Sequence, residues 1–265
     1  IFKLGGNVYA FDSTTIDLCL SVFWWAKFRK KKGGIKVHTL YDVETQIPAF
    51  FHITEASVHD SKAMNEIPYE SGSYYIFDRA YNNFKMLYRI HQIGACFVVR
   101  AKKNLQYKPV KWKRRLPKNV LSDMSIQLTG FYPKQYYPEP LRLVRYWDEE
   151  QKREFVFLTN ATHISALQVA DLYKNRWQVE LFFKWLKQHL KIKKFWGITE
   201  NAVRIQIYAA ICTYCLVAII QHDMQLDRST YEVLQILSIS LTDKTPLRDL
   251  FDKTKFQNDK ERFGP

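Results

Sequence analysis

Short apolar runs rich in β-branched and aromatic residues recur through the first hundred positions: NVYAFD, IKVHTLYD, PAFFHIT, SYYIFD and ACFVVR. They predict strands near 7–12, 36–42, 49–55, 74–78 and 95–100, with helices near 60–67 and 82–92. Three consecutive strands followed by strand–helix alternation predict an α/β fold. Its mixed sheet should have antiparallel neighbours first and parallel crossovers later. Between Arg100 and Phe155 the pattern changes to short, proline-punctuated, aromatic and basic stretches without helical periodicity, such as KPVKWKRRLPK and GFYPKQYYPEPLRLVRYW. A β-rich insertion over 101–154 is expected there. From His163 helical periodicity dominates to about 223, and a short helix near 229–238 lies in a C-terminal helical tail, 224–265. The apolar run Ile205–Ile220 is shorter than the roughly 20 residues of a membrane span and reads as a core helix.

Composition narrows the function. With 47% hydrophobic residues in 265, wholesale disorder is excluded and a sizeable core is possible. Forty Lys and Arg against 26 Asp and Glu give a net charge of +14, and the excess is concentrated. Leu18–Tyr41 holds six basic residues and no acid, and Arg100–Lys118 holds nine and no acid. Such stretches point to a polyanionic partner. Lys27, Arg29, Lys30, Lys31 and Lys32, followed by Gly33 and Gly34, read as a flexible basic loop that contacts phosphate, or as a solubilising loop. Phe23, Trp24 and Trp25 read as packing residues. Trp112, Tyr132 and Trp147 read as packing residues that could instead stack on unpaired bases. Cys19, Cys96, Cys212 and Cys215 are scattered and read as reduced; Cys212 and Cys215 form a CxxC with no second pair and are expected on a buried helix face. Starting at Ile1, the chain reads as a piece of a longer protein.

The candidate chemistry lies in YKNRWQVELFFKWLK. On one continuous helix, at roughly 100° per residue, Tyr173, Arg176, Glu180 and Lys187 fall within about 60° of one another. Lys184 and Lys191 widen the stripe to about 80°. A glutamate inside a basic stripe would repel phosphate unless a divalent cation stood between them; the plainer reading is a solvated helix face. Asp12 and Asp78 each close a predicted strand, where sites on open α/β sheets are found, although such an aspartate also serves turns and helix caps. Together the three acids form a candidate magnesium site: phosphodiester cleavage by two metals needs hard oxygen ligands holding ions about 4 Å apart. His59 and Asp60 read as structural, Asp60 as a helix N-cap, and Arg79 as a contact to DNA phosphate or a support for Asp78.

These residues resemble the DDE-type insertion-sequence transposases with the signature Tyr-x2-Arg-x3-Glu-x6-Lys. The blocks FDSTTIDL, GGIKVHTLYDVETQIPAFFHITEASVHDSKAM and YYIFDRAYNNF extend the likeness over 7–100 and 155–195. The resemblance implies an RNase H-like core in two parts, 1–100 and 155–223, with a β-rich insertion between the second aspartate and the glutamate. It implies that Asp12, Asp78 and Glu180 bind two Mg²⁺ ions, with Mn²⁺ able to substitute, and that Tyr173, Arg176 and Lys187 contact transposon-end DNA, with Lys184 and Arg79 beside them. Hydrolysis at transposon ends, transfer of the 3′-hydroxyl into target DNA, a homodimer on double-stranded DNA and a cytoplasmic location on DNA follow as expectations. Two alternatives stay open: a transposase-derived DNA-binding protein without catalysis, and a metal-dependent nuclease on the same core.

Overall fold

The structure, a computed structural model, describes residues 4–29, 32–189, 194–240 and 244–251. The chain divides into two compact units, Ile1–Ile207 and Tyr208–Pro265.

The first unit is built on one ten-stranded mixed sheet. Strand β1 (Val8–Leu18) pairs antiparallel with β3 (Lys32–Asp42). In turn β3 pairs with β4 (Pro48–Glu55) and, at its start, with β2 (Lys27–Arg29). On its other side β1 runs parallel to β5 (Tyr74–Phe77), which runs parallel to β6 (Cys96–Arg100). The antiparallel-then-parallel order expected from the spacing of the apolar runs is therefore present. Helix α1 (Phe84–Gln92) makes the crossover between β5 and β6; the Asn83 side chain caps it by accepting from the Met86 amide at 3.3 Å. Gly94, at φ +81°, turns the chain out of α1 in a conformation that costs a side-chain-bearing residue energy.

Beyond β6 the sheet continues through β7 (Tyr107–Trp112), β8 (Val120–Leu128), β9 (Leu141–Asp148) and β10 (Arg153–Thr159), in the spatial order β6-β10-β9-β8-β7. Between β8 and β9 lies a short helix, α2 (Phe131–Tyr136), which the sequence pattern does not reveal. The buried Arg142–Asp123 pair is doubly hydrogen-bonded, Nε and Nη2 each donating at 2.8 Å, while Nη1 donates to the carbonyls of Ala161 and Ile164. One guanidinium thus ties β8 and β9 to the turn before α3 (Ala166–Lys174).

One face of the sheet carries the main core, with Phe11, Tyr75, Phe77, Tyr81, Leu87, Ile90 and Phe97 all buried. Side chains of this size stabilise the fold by about 1.5–3 kcal/mol each when fully buried. Against the other face pack α3 and α4 (Trp177–His189): the Tyr173 ring lies 4.8 Å from Phe157, and Phe182 lies 5.5 Å from Tyr41.

Helix α5 (Glu200–Asp223) runs across the division between the units. In the second unit α6 (Thr230–Ile239) is started by a Ser229–Glu232 capping box, and Val217, Val233 and Phe251 form a small apolar cluster.

Several expectations need correction. Strand β1 does not stop at Asp12: Ser13–Leu18 continues the alternation, with Thr14 and Ile16 buried, and pairs with β3 from Ser13↔His38 to Leu18↔Gly33. The stripe on one continuous helix is in fact two helices, α3 and α4, separated by a turn at Asn175 and Arg176, where Gln178 N donates to Asn175 O in an i→i+3 bond. The helix near 60–67 is a 3₁₀ helix, Asp60–Asn65, capped by His59 and not by Asp60. Lys27–Arg29 and Lys32 belong to strands, not to a flexible loop; Lys30 and Lys31 lie outside the described residues, as does Lys191. Trp24 is 73% exposed, so it is not core. Cys212 is exposed and Cys215 half-buried, since that side of α5 is turned outward. Helix α5 is longer than the apolar run that predicts it; by length and hydropathy alone it could cross a bilayer, and only a third of its most apolar window is buried.

Candidate active site

The site lies where the parallel part of the sheet ends. The ladder between β1 and β5 closes at Phe11↔Phe77, so Asp12 and Asp78 are the next residues on adjacent strands. Asp12 remains inside β1, held from the other side by its pairing with Thr39, while Asp78 leaves β5 and precedes a 3₁₀ turn, Arg79–Tyr81. Asp78 occupies the N-cap position of that turn without a capping hydrogen bond from its side chain. Its Oδ1 instead accepts from the Tyr173 hydroxyl at 2.8 Å, across 95 positions of sequence.

Arg176, in the turn between α3 and α4, joins the other two acids. One Nη donates to Asp12 Oδ2 at 2.6 Å and the other to Glu180 Oε1 at 2.6 Å. Asp12 Oδ1 also accepts from the Ser13 amide at 2.8 Å. The structure thus brings together Asp12, Asp78, Glu180, Tyr173 and Arg176. Lys187 is one step away, donating from Nζ to the Thr15 carbonyl of β1 at 3.0 Å. Lys184 is exposed on α4, and Arg79 is half-buried, with an Nε that has no hydrogen-bond partner.

The electrostatics separate the two aspartates. Burial pushes Asp12 up to about 6, against the pull of Arg176 and the Ser13 amide, and the charges of Glu180 and Asp78 add to the rise. Burial also acts upward on Asp78, but the Arg79 amide, the Tyr173 hydroxyl, Arg176 and Arg100 together bring it below its ordinary value. Burial and the Asp78 charge lift the Tyr173 phenol to about 12, so it stays a donor. Burial acts downward on Arg176, yet Tyr173, Asp12 and Glu180 hold its guanidinium above the ordinary value.

Three residues around the site escape a linear reading. Ser13 Oγ donates to Asp60 Oδ1 at 2.8 Å, and Lys36 Nζ lies 3.1 Å from the same oxygen. Asp60 therefore braces the residue next to Asp12, a role visible only once the 3₁₀ helix is folded against β1 and β3. Arg100 follows the β6 residue paired with Phe77 and so stands beside Asp78. With Tyr173, Arg176, Arg153 and Trp177 it lines a cleft of about 390 Å³. A larger cleft of about 550 Å³ lies by Asn83, Lys102, Phe131 and Tyr132. Tyr132 and Trp112 are exposed, at 62% and 63%, and Trp147 is half-buried.

Among the described residues no three His, Cys, Asp or Glu side chains stand together closely enough to hold one ion. Even so, the donor set suits a hard divalent cation: two carboxylates already converge on one positive group, the Arg176 guanidinium, with Asp78 close by.

Comparison with known proteins agrees with this architecture. Over 246 residues the chain is 35% identical to a protein of Sinorhizobium fredii named as transposase y4zB, covering 90% of this chain and 67% of the relative. It is 32% identical to a protein named as the transposase of insertion sequence element IS5377 in Geobacillus stearothermophilus, covering 77% of this chain and 54% of that one. The chain thus spans between half and two thirds of these relatives' lengths. Among solved structures, the piggyBac transposase synaptic complex with hairpin DNA matches with a TM-score of 0.53 at 13% identity, over 92% of this chain and 56% of that one. At that identity the likeness concerns the fold alone, a mixed sheet flanked by helices. The profile of the transposase DDE domain matches residues 3–216, which include both strand-borne aspartates and the α3–α4 turn, and the chain belongs to that family.

Proposed function

We propose that this chain is the catalytic domain of a DNA transposase of an insertion sequence, in which Asp12, Asp78 and Glu180 hold two Mg²⁺ ions and cut and join phosphodiesters. The observation that carries the reading is that all three acids, from a strand, the turn after its neighbour and a helix, meet a single Tyr173–Arg176 pair through hydrogen bonds of 2.6–2.8 Å. The spacing of Tyr173, Arg176, Glu180 and Lys187 supports assignment to the Tyr-x2-Arg-x3-Glu-x6-Lys group.

Bound Mg²⁺ would supply Lewis-acid activation of the attacking water or 3′-hydroxyl and would neutralise the leaving oxygen. The chain's own residues do the rest. Asp12 is fixed by the β1–β3 pairing and by the Ser13 amide on Oδ1, so Oδ2, the oxygen that meets Arg176, keeps one direction. The Tyr173 hydroxyl orients Asp78 and, after the Arg79 amide, helps hold its carboxyl below the ordinary value. Arg176, Lys187, Lys184 and Arg79 supply positive charge for the phosphates of double-stranded DNA, first the transposon end and then the target. Aligning two ends calls for a homodimer on DNA. The region 101–154 acts as a β-rich insertion within the RNase H-like core, and a cytoplasmic location on DNA accompanies the reading.

The test is nicking of supercoiled plasmid with Mg²⁺ by this chain and by Glu180→Gln. Metal-dependent nicking that is lost in the variant while DNA binding is retained supports the reading. Equal nicking by both proteins refutes Glu180 as a ligand.

A further inference from the structure

We infer that Arg176 is an exchangeable internal counter-ion: it holds Asp12 and Glu180 converged before a divalent cation arrives, and it gives up both carboxylates to that cation. The inference rests on the reading of these acids as metal ligands and adds a role for the arginine that the reading does not contain.

Three observations carry it. First, the guanidinium bridges one oxygen of each acid at 2.6 Å, so a single positive charge occupies the direction in which both ligands point. Two acids from distant elements, β1 and α4, repel unless a cation lies between them. Second, a guanidinium and a divalent ion drawn to the same pair of carboxylates repel strongly at a few ångströms, even at an effective dielectric of about 20, so binding of the one disfavours the other. Third, the arginine is built to leave: it lies in the turn between α3 and α4, its buried Nε has no hydrogen-bond partner, and it lines the 390 Å³ cleft with Arg100, Arg153 and Trp177. The cleft wall is mixed, with Arg100, Arg153 and Lys174 facing Asp148, Glu150 and Asp171, so a guanidinium released from the two acids leaves it with a net positive charge that a phosphate can meet. Metal occupancy and grip on the DNA backbone would thereby rise together.

The experiment is titration of the whole chain with Mn²⁺, following free Mn²⁺ by electron paramagnetic resonance, for wild type, Arg176→Gln, Arg176→Lys and Glu180→Gln. Removing a competing unit charge should tighten Mn²⁺ binding about tenfold or more in Arg176→Gln. Arg176→Lys falls between wild type and Arg176→Gln, because the charge is kept while the fork that bridges the two carboxylates is lost. Glu180→Gln binds more weakly. If Glu180→Gln loses Mn²⁺ while Arg176→Gln binds no tighter than wild type, the acids remain ligands and the exchange is refuted. If neither change alters binding, the three-acid reading falls and takes the exchange with it. A measurement on the unaltered chain guards against misfolded variants. With ¹⁵N-labelled arginine, the guanidinium signals of Arg176, slowed by two carboxylates, should collapse to a freely rotating average as diamagnetic Mg²⁺ is added. Signals that stay unchanged at saturating Mg²⁺ overturn the proposal.

Discussion

Replacing Asp12 by Asn should stabilise the metal-free chain, and the gain should depend on pH in a defined way. The carboxyl has about the ordinary value of 3.8 when unfolded and about 6 when folded, raised chiefly by burial. The folded state therefore binds the proton more tightly, and ionised Asp12 costs stability. Below about pH 4 the group is protonated in both states and the cost vanishes; above about pH 6 it is ionised in both and the cost is complete. A shift of roughly two units at about 1.4 kcal/mol each gives about 3 kcal/mol. Asn keeps an oxygen for Arg176 without the charge. Thermal unfolding in EDTA should therefore place Asp12→Asn roughly 6–12 °C above wild type at pH 8, taking about 2–4 °C per kcal/mol for a chain of this size. The two proteins should converge as the pH falls through the interval from about 6 to about 4. Saturating Mg²⁺ should close the gap from the other side by stabilising wild type alone. A difference that is absent at pH 8, or that does not change with pH, would show that Asp12 is not held at a cost and would remove the electrostatic reason for a cation beside it.

Other parts of the structure yield sharper single tests. Tyr173→Phe removes a hydrogen bond that helps keep Asp78 below its ordinary value, so the acid limb of metal-dependent nicking should move to higher pH; a pH–rate profile with an unmoved limb refutes the link. Arg142→Met leaves buried Asp123 without its doubly bonded partner and should cost about 3–5 kcal/mol in urea unfolding; a loss below about 1 kcal/mol would mean that Lys113, whose Nζ lies 3.0 Å from Asp123 Oδ2, alone suffices. Gly94→Ala forces a side chain into φ +81° with its Cβ 2.9 Å from Ser71 Oγ and should cost about 1–2 kcal/mol. Ser13→Ala breaks the bond to Asp60 and should lower stability by about 1 kcal/mol and slow nicking; an unchanged rate would confine Asp60 to a structural part.

The order of the central strands was legible because each apolar run is short, β-rich and bounded, and the pattern of three strands followed by crossovers leaves few topologies. The aspartates were legible for the same reason, each falling where such a run turns polar. The length of β1 was not: STTIDL is polar enough to read as a loop, and only pairing with β3 makes it a strand. The turn at Asn175 and Arg176 was also hidden, since neither residue breaks a helix by composition. Its effect on the site is large, because a continuous helix would put Arg176 one turn below Glu180 on the same face. In the structure Tyr173 belongs to α3 and Glu180 to α4, and Arg176 reaches between a strand and a helix. Asp60, Lys36 and Arg100 could not be found from spacing at all, because strand register brings Lys36 and Arg100 beside the acids and the packing of the 3₁₀ helix on β1 and β3 brings Asp60.

The place where the chain leaves and re-enters the central sheet has an evolutionary consequence. Arg100 at the end of β6 is paired with Phe157 of β10, and the Ala101 amide donates to the Val156 carbonyl at 2.8 Å, so everything between departs and returns at adjoining positions. A stretch closed at its base in this way can change its exposed ends over generations, provided that β8 and β9 keep the Arg142 tie to the turn before α3. Lineages could thus diversify the basic hairpin and the aromatic α2 while inheriting the acids unchanged.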